Sequence, residues 1–121
     1  MTAERRPDPA CLFCRIVAGE IPSTRVAESE RVVAIRDVSP RAPTHVLLLS
    51  REHLPSAAEL TATDGPLLAE LFECAAEVAR AEGIADAGYR VVTNVGAWGG
   101  QTVPHLHFHL LGGRSMTWPP G

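Results

Sequence analysis

The stretch His105-Leu106-His107-Phe108-His109-Leu110 alternates imidazole and apolar side chains without interruption. Successive side chains of a β-strand point to opposite faces, so the run predicts a strand with Leu106, Phe108 and Leu110 toward a core. His105, His107 and His109 then share the other face. Three imidazoles on a half-buried face bring desolvation and mutual repulsion, with no packing gain over Val or Thr. Chemistry is the better explanation of such a set. The chain has five histidines in all, the other two being His45 and His53.

Geometry limits what the face does. At about 3.3 Å per residue, His105 and His109 lie about 13 Å apart, too far to share one ion at metal–nitrogen bonds near 2.1 Å. An adjacent His-x-His pair still fits a metal, but no Asp or Glu follows Asp86 to complete an open hydrolytic site. The segment before the strand, Asn94 to Pro104, contains Gly96, Gly99 and Gly100, then Gln101 and Thr102. Glycines let backbone N–H groups approach an anion closely, and Gln101 and Thr102 add side-chain donors. A phosphate cradle leading into an imidazole face supplies the donors and the nucleophile that phosphoryl chemistry requires.

The rest of the chain reads as one α+β domain. Leu12, Phe13, Ile16 and Val17 recur at helical spacing between Cys11 and Ala18, before Gly19. Strands are predicted at Arg25–Ala27, Val32–Arg36, His45–Leu49, Tyr89–Asn94 and Leu106–Leu111, the third covered on both faces. A long amphipathic helix is predicted from about Gly65 to Glu82, with Asp64 as N-cap and Gly83 at the C-terminal cap. Its apolar face is drawn through Leu68, Leu71, Phe72, Ala75 and Ala79, and Cys74 is read as a small buried residue. The sum is a roughly five-stranded antiparallel sheet with one long and one short helix on one side. A chain of 121 residues with 45% apolar and 21% charged residues suits one such core. Residues 1–10 are expected to form a flexible, charged head and residues 11–121 a single domain including the Trp118-Pro119-Pro120-Gly121 tail. The net charge of −3 argues against broad nucleic-acid binding or polybasic membrane docking. Met1 to Ala10 has no apolar run and no stretch reaches the ~20 residues of a spanning helix, so a cytoplasmic location is expected. In that compartment the Cys11-x-x-Cys14 pair reads as metal or redox, not as a structural disulfide.

Gln101 to Leu111, QTVPHLHFHLL, resembles the signature of the histidine triad superfamily. Asp37-Val38-Ser39-Pro40, Ala42-Pro43-Thr44-His45, Leu111-Gly112-Gly113-Arg114 and the Trp118 to Gly121 tail resemble its nucleotide-binding (Hint) branch in order and spacing. The resemblance implies a purine nucleoside phosphoramidase that cleaves the P–N bond of nucleoside 5′-phosphoramidates, such as AMP-lysine, and acts on acyl-AMP. His107 is implied as the nucleophile that forms a nucleotidyl-histidine, and a neutral imidazole suits that task. His45 and His109 are implied to flank the phosphate. Gly100, Gln101, Thr102 and the Val103 N–H are implied to hold it, with Thr102 passing a proton to the leaving group. Asp37 is implied to accept the ribose hydroxyls, Asn94 to lie near phosphate and ribose, and Phe13, Ile16, Ile21 and Val38 to form the purine slot. Two positions depart from the branch: Thr102 stands where Ser is usual, and Trp98 where a small or polar residue is expected.

A second implied site joins Cys11, Cys14, His53 and His105 around zinc. Two thiolates and two imidazoles make a closed set, which suits a structural ion not required for the chemistry. The resemblance also implies a homodimer with a continuous sheet, in which Trp118 approaches the partner's site; from physics alone, such a strand is an edge needing cover. Purine nucleoside monophosphates and phosphoramidates are the implied small-molecule partners. Two other readings stand beside this one: a dinucleoside polyphosphate hydrolase, and a nucleotide-sensing binding module with slow turnover.

Overall fold

The alternation that defines the histidine strand runs through its neighbours and sorts the whole chain into two layers. The computed structural model describes residues 5–121. Its elements are α1 (Leu12–Val17), β1 (Arg25–Glu28), β2 (Val32–Arg36), β3 (Thr44–Ser50), α2 (Gly65–Ala81), β4 (Tyr89–Val92) and β5 (His107–Gly112). The strands form one antiparallel sheet in the order β1-β2-β3-β5-β4. The expected α+β architecture, with one long and one short helix, is the observed one.

Each central strand splits its residues between two apolar clusters. Val32 and Ala34 of β2, Val46 and Leu48 of β3, and Phe108 and Leu110 of β5 pack with Leu106 against Leu67, Leu71, Cys74, Ala75, Val78 and Ala79 of α2. Val33, Ile35, Leu47 and Leu49 point the other way and pack with Cys11, Phe13, Cys14 and Ile16 of the α1 region. β3 is therefore buried along its whole length, as its unbroken apolar run predicts.

This two-sided burial corrects one expectation, since the helices do not lie on one side of the sheet. α2 supports one face, while α1 sits on the face that carries His45, His107 and His109. The phase of α2 is also shifted. Phe72 is 54% exposed, whereas Leu67, Cys74 and Val78 turn inward. Cys74 is buried, and burial pushes its thiol up to about 11, so it behaves as a small core residue. The first residues of the expected head, 1–4, lie outside the described residues. Arg5 is ion-paired to Glu52 and Asp64.

Candidate active site

The register of β3 against β5 assembles the histidine face. His109 pairs with Leu47 and His107 with Leu49, so His45, two residues from Leu47 on the same face, reaches diagonally to His109. His45 Nε2 and His109 Nδ1 are 2.9 Å apart, and the rings of His107 and His109 are 5.2 Å apart in a T-shaped arrangement. The strand itself starts at His107, so His105 lies just outside the sheet and is directed elsewhere.

Hydrogen bonds fix the tautomer of each ring. His107 Nδ1 is 2.6 Å from the carbonyl oxygen of His105 and donates to it, which leaves Nε2 with a free lone pair. Phe13 packs edge-on against this ring at 4.9 Å and helps hold its plane. In the second ring system the Arg41 N–H donates to His45 Nδ1 at 3.0 Å, so His45 carries its proton on Nε2 and donates to His109 Nδ1. His109 is thereby left with an Nε2–H to offer. Burial, reinforced by the positive charge that His107 and His45 can carry, pushes His109 down to about 4. His45 is lowered as well, chiefly by burial. Both rings are neutral at pH 7. The site thus pairs a lone-pair nitrogen with a neutral N–H donor on one face.

Asp37 stands beside this chain, its Oδ2 3.4 Å from His45 Nε2. Its Oδ1 accepts from the Ser39 N–H at 2.7 Å, a local turn bond that sets the carboxylate's orientation. Of the residues expected to form the purine slot, Phe13, Ile16 and Ile21 belong to one apolar cluster. Val38 is not among them and is 97% exposed.

The glycine loop is held by its own bonds. Gly96 (φ 73°) and Gly100 (φ 88°) both take positive φ, Gly100 in the left-handed helical region, around a 3-10 turn at Ala97–Gly99. Gln101 clamps this loop: its Oε1 accepts from the Gly96 N–H at 2.9 Å, and its Nε2 donates to the carbonyls of Pro55 (2.6 Å) and Val103 (3.0 Å). The Gln101 side chain therefore shapes the loop. The Gly99, Gly100 and Gln101 N–H groups close turns on Gly96 and Ala97, while those of Thr102 and Val103 donate to nothing among the described residues. Asn94 packs near Gly100. Trp98 and Trp118 project into solvent. One positioning contact has no local signal in the sequence: Thr93 Oγ1 donates to the His107 carbonyl at 2.9 Å and ties β5 to the end of β4.

A separate cluster forms where α1 meets the start of β5. Cys11, Cys14, His53 and His105 bring one potential ligand atom each within 4.8 Å of one another. His105, fully buried, donates Nε2–H to the Ser50 carbonyl at 2.7 Å and so turns the lone pair of Nδ1 inward. That atom lies 3.3 Å from Cys11 Sγ, 3.5 Å from Cys14 Sγ and 3.3 Å from His53 Nδ1, and Cys14 Sγ is 3.4 Å from His53 Nδ1. A tetrahedron with zinc–nitrogen and zinc–sulfur bonds near 2.05 and 2.3 Å has edges of roughly 3.3 Å (N···N) and 3.6 Å (N···S). The N···N separation of 3.3 Å matches, and the N···S separations of 3.3, 3.4 and 3.5 Å fall slightly short of that edge. Burial raises the Cys14 thiol to about 11, a cost that a divalent cation at the centre reverses. The donor set fits a closed tetrahedral zinc site.

Comparison with known proteins agrees with this geometry. Residues 18–116 match the HIT domain. The chain belongs to the histidine triad (HIT) family. A HIT family hydrolase of Legionella pneumophila is 50% identical and superposes with a TM-score of 0.90, over 92% of this chain and 99% of that one. The 14 kDa zinc-binding protein of Zea mays is 46% identical over 97% of this chain and 92% of its own length. The adenylylsulfatase HINT1 of Arabidopsis thaliana is 42% identical over 94% of this chain and 78% of its own length. These relatives place this HIT chain in the Hint-like branch.

Proposed function

We propose that the protein is a purine nucleoside phosphoramidase that works through a nucleotidyl-histidine intermediate. The observation that carries the reading is the His107 ring, whose Nδ1–H is committed to the His105 carbonyl and whose Nε2 lone pair is free. That nitrogen attacks the α-phosphorus, forming a P–N bond to the enzyme as the P–N bond to the leaving amine breaks. The leaving amine takes a proton, a task assigned to the Thr102 hydroxyl at the end of the loop. The Nε2–H of His109 and the unpaired N–H groups of Thr102 and Val103 are the donors assigned to the phosphate oxygens as charge builds. Water, entering on the side the amine has left, then attacks phosphorus in line with the His107–P bond; that bond breaks, one water proton restores the Thr102 hydroxyl, and AMP departs with the His107 Nε2 lone pair regenerated. Asp37 is assigned to the ribose hydroxyls, with Asn94 beside it and Gly100 in the loop. Phe13, Ile16 and Ile21 form the floor of the purine slot, and exposed Val38 is free to cover the base. The relative named adenylylsulfatase supports attack at an adenylyl phosphorus.

Zinc held by Cys11, Cys14, His53 and His105 ties α1 to the end of the sheet; it supplies folding energy and no catalytic step. The working unit is a homodimer. β4 is an edge strand carrying the exposed Tyr89, and Phe72 leaves apolar surface on α2 for a second copy to cover. Trp118, exposed on the tail, is assigned to the partner's site. No helix among the described residues is long and apolar enough to cross a membrane, and the reading places the enzyme in the cytoplasm.

The test is AMP release from an adenosine 5′-phosphoramidate, with diadenosine polyphosphates as the competing substrates. The wild type turns over the phosphoramidate faster, and His107→Ala lowers the rate by at least about a thousandfold. Preference for the polyphosphates supports the dinucleoside polyphosphate reading, and turnover unaffected by His107→Ala removes the assigned nucleophile.

A further inference from the structure

The segment before α1 makes more contacts with the metal cluster than a free head needs. The Arg5 carbonyl accepts the backbone N–H of His53 at 2.9 Å. The Asp8 N–H points at Cys14 Sγ at 3.4 Å, and the Asp8 carbonyl accepts the Cys11 N–H at 3.0 Å. Three of the four ligand residues are therefore bonded to residues 5–8. The Asp8 side chain folds this turn on itself by accepting the Ala10 N–H at 2.8 Å.

The Arg5 side chain anchors the segment at its other end. Its Nη1 reaches Asp64 Oδ1 at 2.6 Å and Glu52 Oε1 at 2.9 Å, while Nη2 reaches Asp64 Oδ2 at 3.0 Å. A guanidinium that holds one carboxylate with both nitrogens and a second with one of them has a defined orientation, which an ammonium lacks. Asp64 is itself fixed, because its Oδ2 accepts the Thr61 N–H at 2.9 Å in the turn that opens α2. Glu52 immediately precedes His53.

We propose that residues 5–11 are a strap that closes over the zinc centre, with Arg5 as its latch and the Asp8 N–H and Arg5 carbonyl as outer partners of Cys14 and His53. The proposal rests on the zinc reading above. Outer partners of metal ligands orient them and temper their charge, and losing one costs about ten- to a hundredfold in metal affinity. An N–H aimed at a thiolate also offsets negative charge in a buried site that holds two of them. The strap links the metal centre to the start of α2, on the opposite layer of the sheet, through a single guanidinium.

The experiment follows zinc transfer from the full-length, zinc-loaded protein to a chromogenic chelator. Arg5→Ala releases zinc about tenfold faster than wild type. Arg31→Ala, which removes a comparable ion pair to Glu70 away from the cluster, leaves the rate unchanged. Equal release by Arg5→Ala and wild type overturns the strap and leaves the zinc centre standing. Equal acceleration by both variants also overturns it, since general loosening then explains the effect. Wild type that carries no zinc overturns the centre itself. Should Arg5→Ala fail to fold, amide exchange on the wild type decides: the His53 N–H exchanges faster once zinc is removed, and an exchange rate indifferent to zinc contradicts the strap.

Discussion

What each imidazole offers on this face, a lone pair or an N–H, is set by what its other nitrogen touches. His107 spends its proton on a carbonyl and keeps a lone pair; His109 spends its lone pair on His45 and keeps a proton. The cost appears in acid. His109 titrates near 6.5 when exposed and near 4 in the fold, chiefly through burial, so the unfolded chain binds more protons between those values. Stability is therefore lost as pH falls from about 6.5 toward about 4, and stops changing on this account below that range. In metal-free protein, His109→Gln flattens this part of the Tm-against-pH curve relative to wild type, while an identical slope removes His109 as a source. The alternation in sequence shows that His107 and His109 share a face. It does not show that the strand begins at His107, because the turn that sends His105 to Ser50 depends on contacts with residues 50–54. Gln101 is legible as a polar loop residue, yet its clamp on Pro55 spans 46 residues and leaves no local trace.

At the scale of elements, α2 shows which of its apolar residues the sheet buries. Leu71 is fully buried between Cys74, Ala75 and the sheet, whereas its neighbour Phe72 lies 54% exposed, edge-on to Phe108 at 5.4 Å. Hydrophobicity ranks Phe72 as a core residue, and a face drawn by size alone includes it. The sheet selects a face rotated toward Leu67, Cys74 and Val78, which are buried together with Leu71, Ala75 and Ala79. Leu71→Ala is expected to cost roughly 2–5 kcal/mol in urea unfolding. Phe72→Ala costs less than Leu71→Ala by the same measurement and instead shifts sedimentation toward monomer. A larger stability loss at Phe72 than at Leu71, or no change in association, contradicts this assignment of faces.

For the molecule as a whole, the sheet separates support from chemistry. α2 and the cluster of Val46, Leu48, Phe108 and Leu110 hold one face rigid, and the opposite face carries the imidazoles under α1. β5 and the turn before it serve two clusters at once, with His105 turned to Cys11, Cys14 and His53, and His107 and His109 to the face shared with His45. Period-two patterning makes the division between the two faces of the sheet readable from the chain, whereas the grouping of His105 with Cys11, Cys14 and His53 follows only from the family resemblance. The Arg5 latch is not readable, since Arg5 and Asp64 lie 59 residues apart and an arginine in a charged head has no pattern of its own. The most direct measurement is intact mass of the protein mixed with an adenosine 5′-phosphoramidate and quenched within a turnover under basic conditions, followed by mapping of the adduct. One adenylyl group per active chain is expected, bonded to His107 and absent from His107→Ala. AMP formed with no adduct, or an adduct on another residue, contradicts the assignment of His107 as nucleophile.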